Sequence, residues 1–250
     1  MLKTLKILII PLLLSVLALA GCSELKAPID ESMKNDKNTT LHSDIKQEPF
    51  DFKKKKELKF KDLDDIGRPQ DAHIRLNYKD KPKDERAPYL KYNPPGWHNY
   101  KVKYTNKGKT SKYWTFNRSH MVGYLFSGVN DEPKNLFTGT SHLNKGDYNG
   151  MDQSNQKSML YYETSLNDWL KENPDSYLDY QVTPLYKDNE LVPREVRLAY
   201  TGFDKNGNKI PIQFGTKQEQ KGNKATVVIL ENKEPNLNIN YNDGTAKPNH

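Results

Sequence analysis

Phe116-Asn-Arg-Ser-His120, inside the run YWTFNRSHMVGYLFSG (residues 113–128), is the stretch from which the rest of the chain is read. Aromatic and β-branched residues alternate through KYWTFNRSH, which predicts a strand ending at His120, and the apolar MVGYLFSG follows it. A histidine at the end of a strand can be a packed residue or a proton acceptor. A lone Arg-Ser-His does not decide between them, so the surrounding sequence must.

Working outward, DAHIRLNY (71–78) alternates as a strand does, and Pro94-Pro95-Gly96-Trp97 marks a turn. Residues 135–144 and the Gly/Asn-rich stretch 145–155 read as loop with short helical pieces. Residues 158–174 carry Leu160, Tyr161, Leu166, Trp169 and Leu170 at helical spacing, and Pro174 ends the helix. Three further strands are predicted at LDYQVTPLY (178–186), EVRLAYTGF (195–203) and ATVVIL (225–230). Strands, a loop-and-helix centre and more strands make an α+β order. No internal repeat is present.

The N-terminus has its own logic. A basic MLKTLK precedes the apolar ILIIPLLLSVLALA and then Leu19-Ala20-Gly21-Cys22. The apolar run is too short for a comfortable membrane span, and small residues before a cysteine resemble a bacterial lipoprotein signal. That resemblance implies a signal peptide over 1–21, cleavage before Cys22, a lipid on its sulfur and a membrane contact through that lipid. Cys22 is the chain's one cysteine, so an intrachain disulfide, a cysteine zinc site and a cysteine nucleophile are excluded. Residues 22–61 are rich in Lys, Asp, Asn and Glu, and predict a disordered tether. The folded domain is expected over 62–235, with a frayed tail over 236–250. Mean hydropathy is −0.94, and the net charge of +7 suits a polyanionic partner. No protein partner is evident.

His120, Asn144 and Glu163 fall in the central segment, with Asn135, Asn149 and Asn155 between them. A neutral imidazole can take a proton from water near pH 7. An amide oxygen can bind a hard divalent cation without neutralising it, and an arginine can fork onto phosphate oxygens. The set therefore suits phosphodiester hydrolysis with one such ion.

NRSHMVGYLFSG, then NLFTGTSHLN, Gly150-Met151, YYE on a helix and YQVTPLYKDNELVPREVRL together resemble the ββα-metal (His-Me finger) DNA/RNA non-specific endonucleases. The nearest branch is the secreted DNases and DNA-entry nucleases of Gram-positive bacteria. The resemblance spans roughly residues 62–230. It implies a ββα-metal motif on a mixed or antiparallel sheet. Its implied activity is sequence-tolerant hydrolysis of DNA, single- or double-stranded, and of RNA as a second substrate. Mg2+ is the implied cofactor, with Mn2+ able to replace it. It makes His120 the general base, Asn144 the metal ligand and Glu163 an acid that holds metal-bound water or orients the site. Arg118 becomes a phosphate or scaffold contact, and Asn135 a structural or substrate-positioning amide. Asn155, eight residues before Glu163, is the alternative ligand; Asn144 is preferred because its local motif fits better. Asn117 and Ser119 stand where the family motif has Asp and Gly, which bears on how His120 is oriented. His98 and His142 are expected to be structural, and Tyr124, Tyr161 and Tyr162 to pack. Two rival classes fit the composition: a catalytically weak lipoprotein that captures DNA for uptake, and an envelope protein whose charge serves only the wall.

Overall fold

The computed structural model describes residues 45–98, 101–106, 109–148 and 150–249. The signal peptide, Cys22, Asn149 and the first part of the expected tether lie outside these. Strands β1 (Glu57–Phe60), β2 (Ala72–Asn77), β3 (Lys101–Asn106), β4 (Lys109–Trp114) and β5 (Phe116–His120) come first. Helix α1 (Tyr124–Ser127), β6 (Leu136–Thr140), α2 (Ser141–Lys145) and α3 (Met159–Glu172) form the centre. Then come β7 (Tyr177–Leu185), β8 (Glu195–Phe203), β9 (Lys209–Ile210), β10 (Glu219–Lys221), β11 (Thr226–Glu231), β12 (Leu237–Asn240) and β13 (Thr245–Pro248).

Seven strands make the main sheet, in the order β1-β2-β7-β8-β11-β10 with β9 on β8, and every pairing is antiparallel. Period-two alternation gives this sheet two different faces. Ala72, Ile74 and Leu76 of β2, Leu178, Tyr180 and Val182 of β7, and Val196, Leu198 and Tyr200 of β8 belong to the apolar core. Met159, Tyr162, Leu166 and Leu170, at helical spacing on α3, and Phe126 of α1 complete it. Full burial of a side chain of this size stabilises the fold by about 1.5–3 kcal/mol.

The intervening residues form the opposite, polar face. His73 and Asp179 meet at 2.6 Å, and Asp71 accepts from Gln181 and from Thr183. Residues 45–56 cross this face as a strap. Arg197 donates to the Ile45 carbonyl and Arg75 to the Asp51 carbonyl. The Phe50 amide donates to Asp179, and the Phe50 ring stacks on His73 at 3.6 Å between centroids. Lys56 donates to the carbonyls of Asp80, Phe126 and Ser127, which joins the strap to α1. The tether expected over 22–61 is thus corrected in its last part: residues 45–60 belong to the folded body.

Two other sequence expectations change. Residues 136–140, read as loop, form β6, which pairs with β5 from Phe116 opposite Thr140 to His120 opposite Leu136. The expected frayed tail contains the β12–β13 hairpin. Gly244 at φ 77° serves its turn, and Tyr241 anchors it by accepting from the Val192 amide and donating to the Asn232 carbonyl.

Candidate active site

Strand β5, the α1 segment, β6 and α2 build the expected ββα unit, and α3 packs across it. Asn117 donates to the Ser141 hydroxyl, which itself donates to the Trp114 carbonyl, so the hairpin and α2 are tied at one point. Ser119 is buried, and a Cβ on Gly139 would lie 2.3 Å from its hydroxyl oxygen. Gly139 thus makes the room that Ser119 needs. Both departures from the family motif are thus accommodated by their own neighbours.

A cavity of about 630 Å3 opens beside this unit, and Arg86, Asn117, Arg118, His120, Asn144 and Glu163 are among its polar lining. His120 is 8% exposed. Its Nε2 sits 2.7 Å from the Asn130 carbonyl. A carbonyl only accepts, so Nε2 carries the hydrogen and Nδ1 is left as the ring's proton acceptor. Burial lowers the imidazole pKa to about 4; the Asn130 carbonyl pulls it back up and the nearby Arg86 charge lowers it further. The side chain is therefore a neutral acceptor throughout the neutral range.

Glu163, in the second turn of α3, accepts from the Gly123 amide at 2.8 Å. Burial raises its carboxyl to about 7, against the opposing pull of that amide and of Arg86. A Cβ on Gly123 would lie 2.6 Å from both carboxylate oxygens, so glycine is required for this close approach. Asn144 reaches the cavity from α2, and its side-chain amide makes no hydrogen bond among the described residues.

Asn155 is elsewhere. Its amide donates to the Gly146 carbonyl, lies 3.3 Å from His142 Nε2 and accepts from the Lys157 amide, which stitches the turn before α3. Between the two alternatives, Asn144 is the one that lines the cavity. Asn135 is fully buried, accepting from the Val122 amide and donating to the Val122 carbonyl, a placement that suits the structural of its two expected parts. Arg118 donates twice to Asn93 Oδ1 and lies over the Trp97 ring at 4.7 Å, which fixes its guanidinium at the cavity wall. Tyr162 packs in the core as expected, whereas Tyr124 lines the cavity.

Three residues escaped the sequence reading. Arg86 donates to Asn130 Oδ1 at 2.7 Å, and its charge reaches both His120 and Glu163. Asn130 holds Arg86 with its side chain and His120 with its carbonyl. Gly123 holds Glu163. Arg86 sits in an unpatterned stretch, and no local signal marks it.

The family model described as DNA/RNA non-specific endonuclease matches residues 51–159 and 150–202. The chain belongs to the DNA/RNA non-specific endonuclease family. The nuclease is 36% identical to a solved extracellular nuclease, over 82% of this chain and 100% of that one, with a TM-score of 0.67. It is 39% identical to a solved extracellular endonuclease, over 80% and 90% of the two chains, again with a TM-score of 0.67. NucA from Streptococcus agalactiae, solved with magnesium bound, shares the fold at 20% identity and a TM-score of 0.55, over 78% of this chain and 79% of that one. No curated protein matches the nuclease.

The donor set suits a hard cation that keeps most of its water. Among the described residues no three His, Cys, Asp or Glu side chains gather as a metal cluster. One uncommitted amide oxygen and one carboxylate in a roomy polar cavity are oxygen donors of the kind Mg2+ accepts.

Proposed function

We propose that the nuclease hydrolyses phosphodiester bonds of DNA, and of RNA as a second substrate, without base preference and with Mg2+, or Mn2+ in its place. The observation that carries this reading is the His120 ring, fixed by Asn130 as a neutral Nδ1 acceptor, sharing one cavity with Asn144 and Glu163. His120 Nδ1 takes the proton from the attacking water. Asn144 would hold the ion, with Glu163 behind it holding metal-bound water. Once bound there, the ion supplies Lewis-acid stabilisation to the phosphate and the departing oxygen. Arg118 and Arg86 present guanidinium groups to the phosphate oxygens. These contacts address the backbone, which carries no sequence information.

The activity is placed outside the cell membrane, with a lipid on Cys22 as the anchor. The lipobox-like Leu19-Ala20-Gly21-Cys22 supports this, as do the extracellular nucleases that the chain resembles. Among the described residues no helix is long and apolar enough to cross a membrane. One acyl chain anchors marginally and two anchor stably. Cys22→Ser should release the protein from the membrane fraction or leave it unprocessed; a correctly processed, membrane-bound variant rules the anchor out. For the chemistry, plasmid nicking with and without EDTA is decisive. Nicking that EDTA abolishes and Mg2+ restores is expected. DNA binding without nicking would leave a capture protein.

A further inference from the structure

Among the described residues, strands β3 and β4 pair only with each other and stand apart from the main sheet. Between residues 101 and 114 the sequence holds five lysines and no acidic residue. The register sets Lys101 opposite Trp114, Lys103 opposite Lys112 and Thr105 opposite Thr110. Paired residues share a face, and the 2.8 Å contact between the two threonine hydroxyls agrees. One face of the hairpin therefore runs outward from an indole through cations to hydroxyls. Lys101, Lys103, Lys112 and Trp114 on it are all exposed. Two like charges directly opposite each other weaken a hairpin. Among the described residues neither lysine has an acidic partner, so the arrangement suits an anionic ligand.

Trp114 stands at the lip of the cavity and is 44% exposed; Tyr89, on the same rim, is 83% exposed. The Lys101 ammonium lies 4.6 Å from the Trp114 ring centroid, an exposed contact that a competing ligand displaces. The main chain of Trp114 is also tied to the cavity wall. Its carbonyl is held by the hydroxyl of Ser141, the first residue of α2, the helix that carries Asn144. On the other hairpin face Tyr113 is buried, 5.0 Å from the Tyr148 ring. The main chain that carries the indole is thus anchored beside the cavity.

Resting on the nuclease reading, we infer that the β3–β4 hairpin is an arm for an unpaired nucleic-acid strand, with Trp114 stacking a base beside the scissile phosphate and Lys101, Lys103 and Lys112 meeting the phosphates beyond it. Aromatic platforms flanked by cations are the means by which single strands are held without base readout. Inside a duplex the bases stack on one another and offer no free face. The arm consequently favours single-stranded or locally opened substrate over closed duplex.

The test is fluorescence-anisotropy binding of a 20-nucleotide oligo(dT) and of a 20-base-pair duplex, in EDTA so that nothing is cleaved. Trp114→Ala should weaken oligo(dT) binding about 10-fold or more while changing duplex binding by about 2-fold or less, and Trp114→Phe should restore most of the loss. Lys103→Ser with Lys112→Ser should weaken both and lower the salt slope for oligo(dT) by about 1.4, for two phosphates. Equal loss on both substrates in Trp114→Ala, or none on oligo(dT), overturns the inference. So does a lysine variant that keeps oligo(dT) affinity and loses binding to phosphatidylglycerol vesicles, which would assign the arm to membrane lipid. Plasmid nicking separates the two readings. A parent that binds oligo(dT) through Trp114 but never nicks keeps the arm and loses the enzyme, whereas Mg2+-dependent nicking with unaltered strand preference in Trp114→Ala does the reverse.

Discussion

Replacing His120 by alanine should invert the order of stability between acid and neutral pH while removing the activity. In the folded nuclease burial lowers the imidazole from its ordinary 6.5 to about 4. Between those values the unfolded chain binds a proton that the folded chain refuses. The parent's extra stability is therefore complete above about pH 6.5 and is lost as the pH falls through about 4. A difference of this size corresponds to about 3 kcal/mol. At pH 7.5 the variant lacks the bond to the Asn130 carbonyl and the packing of the ring, a loss of about 2 kcal/mol. It is also free of the acid penalty, so at pH 4 it should be the more stable protein by about 1 kcal/mol. Urea denaturation of both proteins at pH 7.5, 6, 5 and 4 reads this directly, since the carboxylates common to both cancel. Nicking at pH 7.5 should fall by roughly 10²–10⁴-fold in the variant. At saturating Mg2+ the parent's rate should hold its plateau below pH 6, because the acceptor is already neutral there. Parallel stability curves would mean that the ring is not buried as a neutral group, and near-parent nicking by a folded variant would remove His120 from the chemistry.

Asn144→Ala should lose nearly all activity and regain part of it at high Mg2+. Asn155→Ala should keep its activity and lose about 1–2 kcal/mol of stability, from the turn it stitches; nicking and urea midpoints on both variants check this, and the reverse pattern would mean that Asn155 is the ligand. Gly123→Ala should remain folded by circular dichroism yet lose at least about 10-fold in nicking, because the added methyl pushes the Glu163 carboxylate off its position. With Glu163 raised to about 7, a proton competes with the cation below that pH. Half-saturating Mg2+ should therefore fall as the pH rises from 6 to 8, and in Glu163→Gln that dependence should flatten.

How much of this was legible depended on whether the cause was local. The strand ending at His120, the helix carrying Glu163 and the strands 178–186 and 195–203 were readable because periodicity is written into consecutive residues. The five residues of β6 are few, follow Asn135 and contain Gly139, which blurs a strand signal that Phe137, Thr138 and Thr140 would carry; what makes them a strand is their register with β5. The strap was hidden for a similar reason. Its lysines and acids look solvated, and its order comes from main-chain carbonyls meeting Arg75 and Arg197, which no pattern within residues 45–56 carries. The C-terminal hairpin was partly visible in its Asn-Asp-Gly turn, but the Tyr241 anchor that holds it down is a long-range contact. Arg86 and Asn130 are two isolated residues whose role exists only once the fold brings them to His120.

The strap also sets an order of events in folding. Its bonds to Asp179, Gln181 and Arg197 span 129, 135 and 152 residues of sequence. The segment synthesised early is therefore among the last to dock. Once β7 and β8 have paired with β2, the sheet stands with this face uncovered until the strap docks, and a face of His73, Arg75, Asp179, Gln181 and Arg197 can do so in water. An apolar face there would offer each newborn sheet to its neighbours as a surface for aggregation. The polar alternation of β2, β7 and β8 is in this sense a provision for the half-made protein, and the strap that covers it should be the first part of the finished one to open in native-state hydrogen exchange.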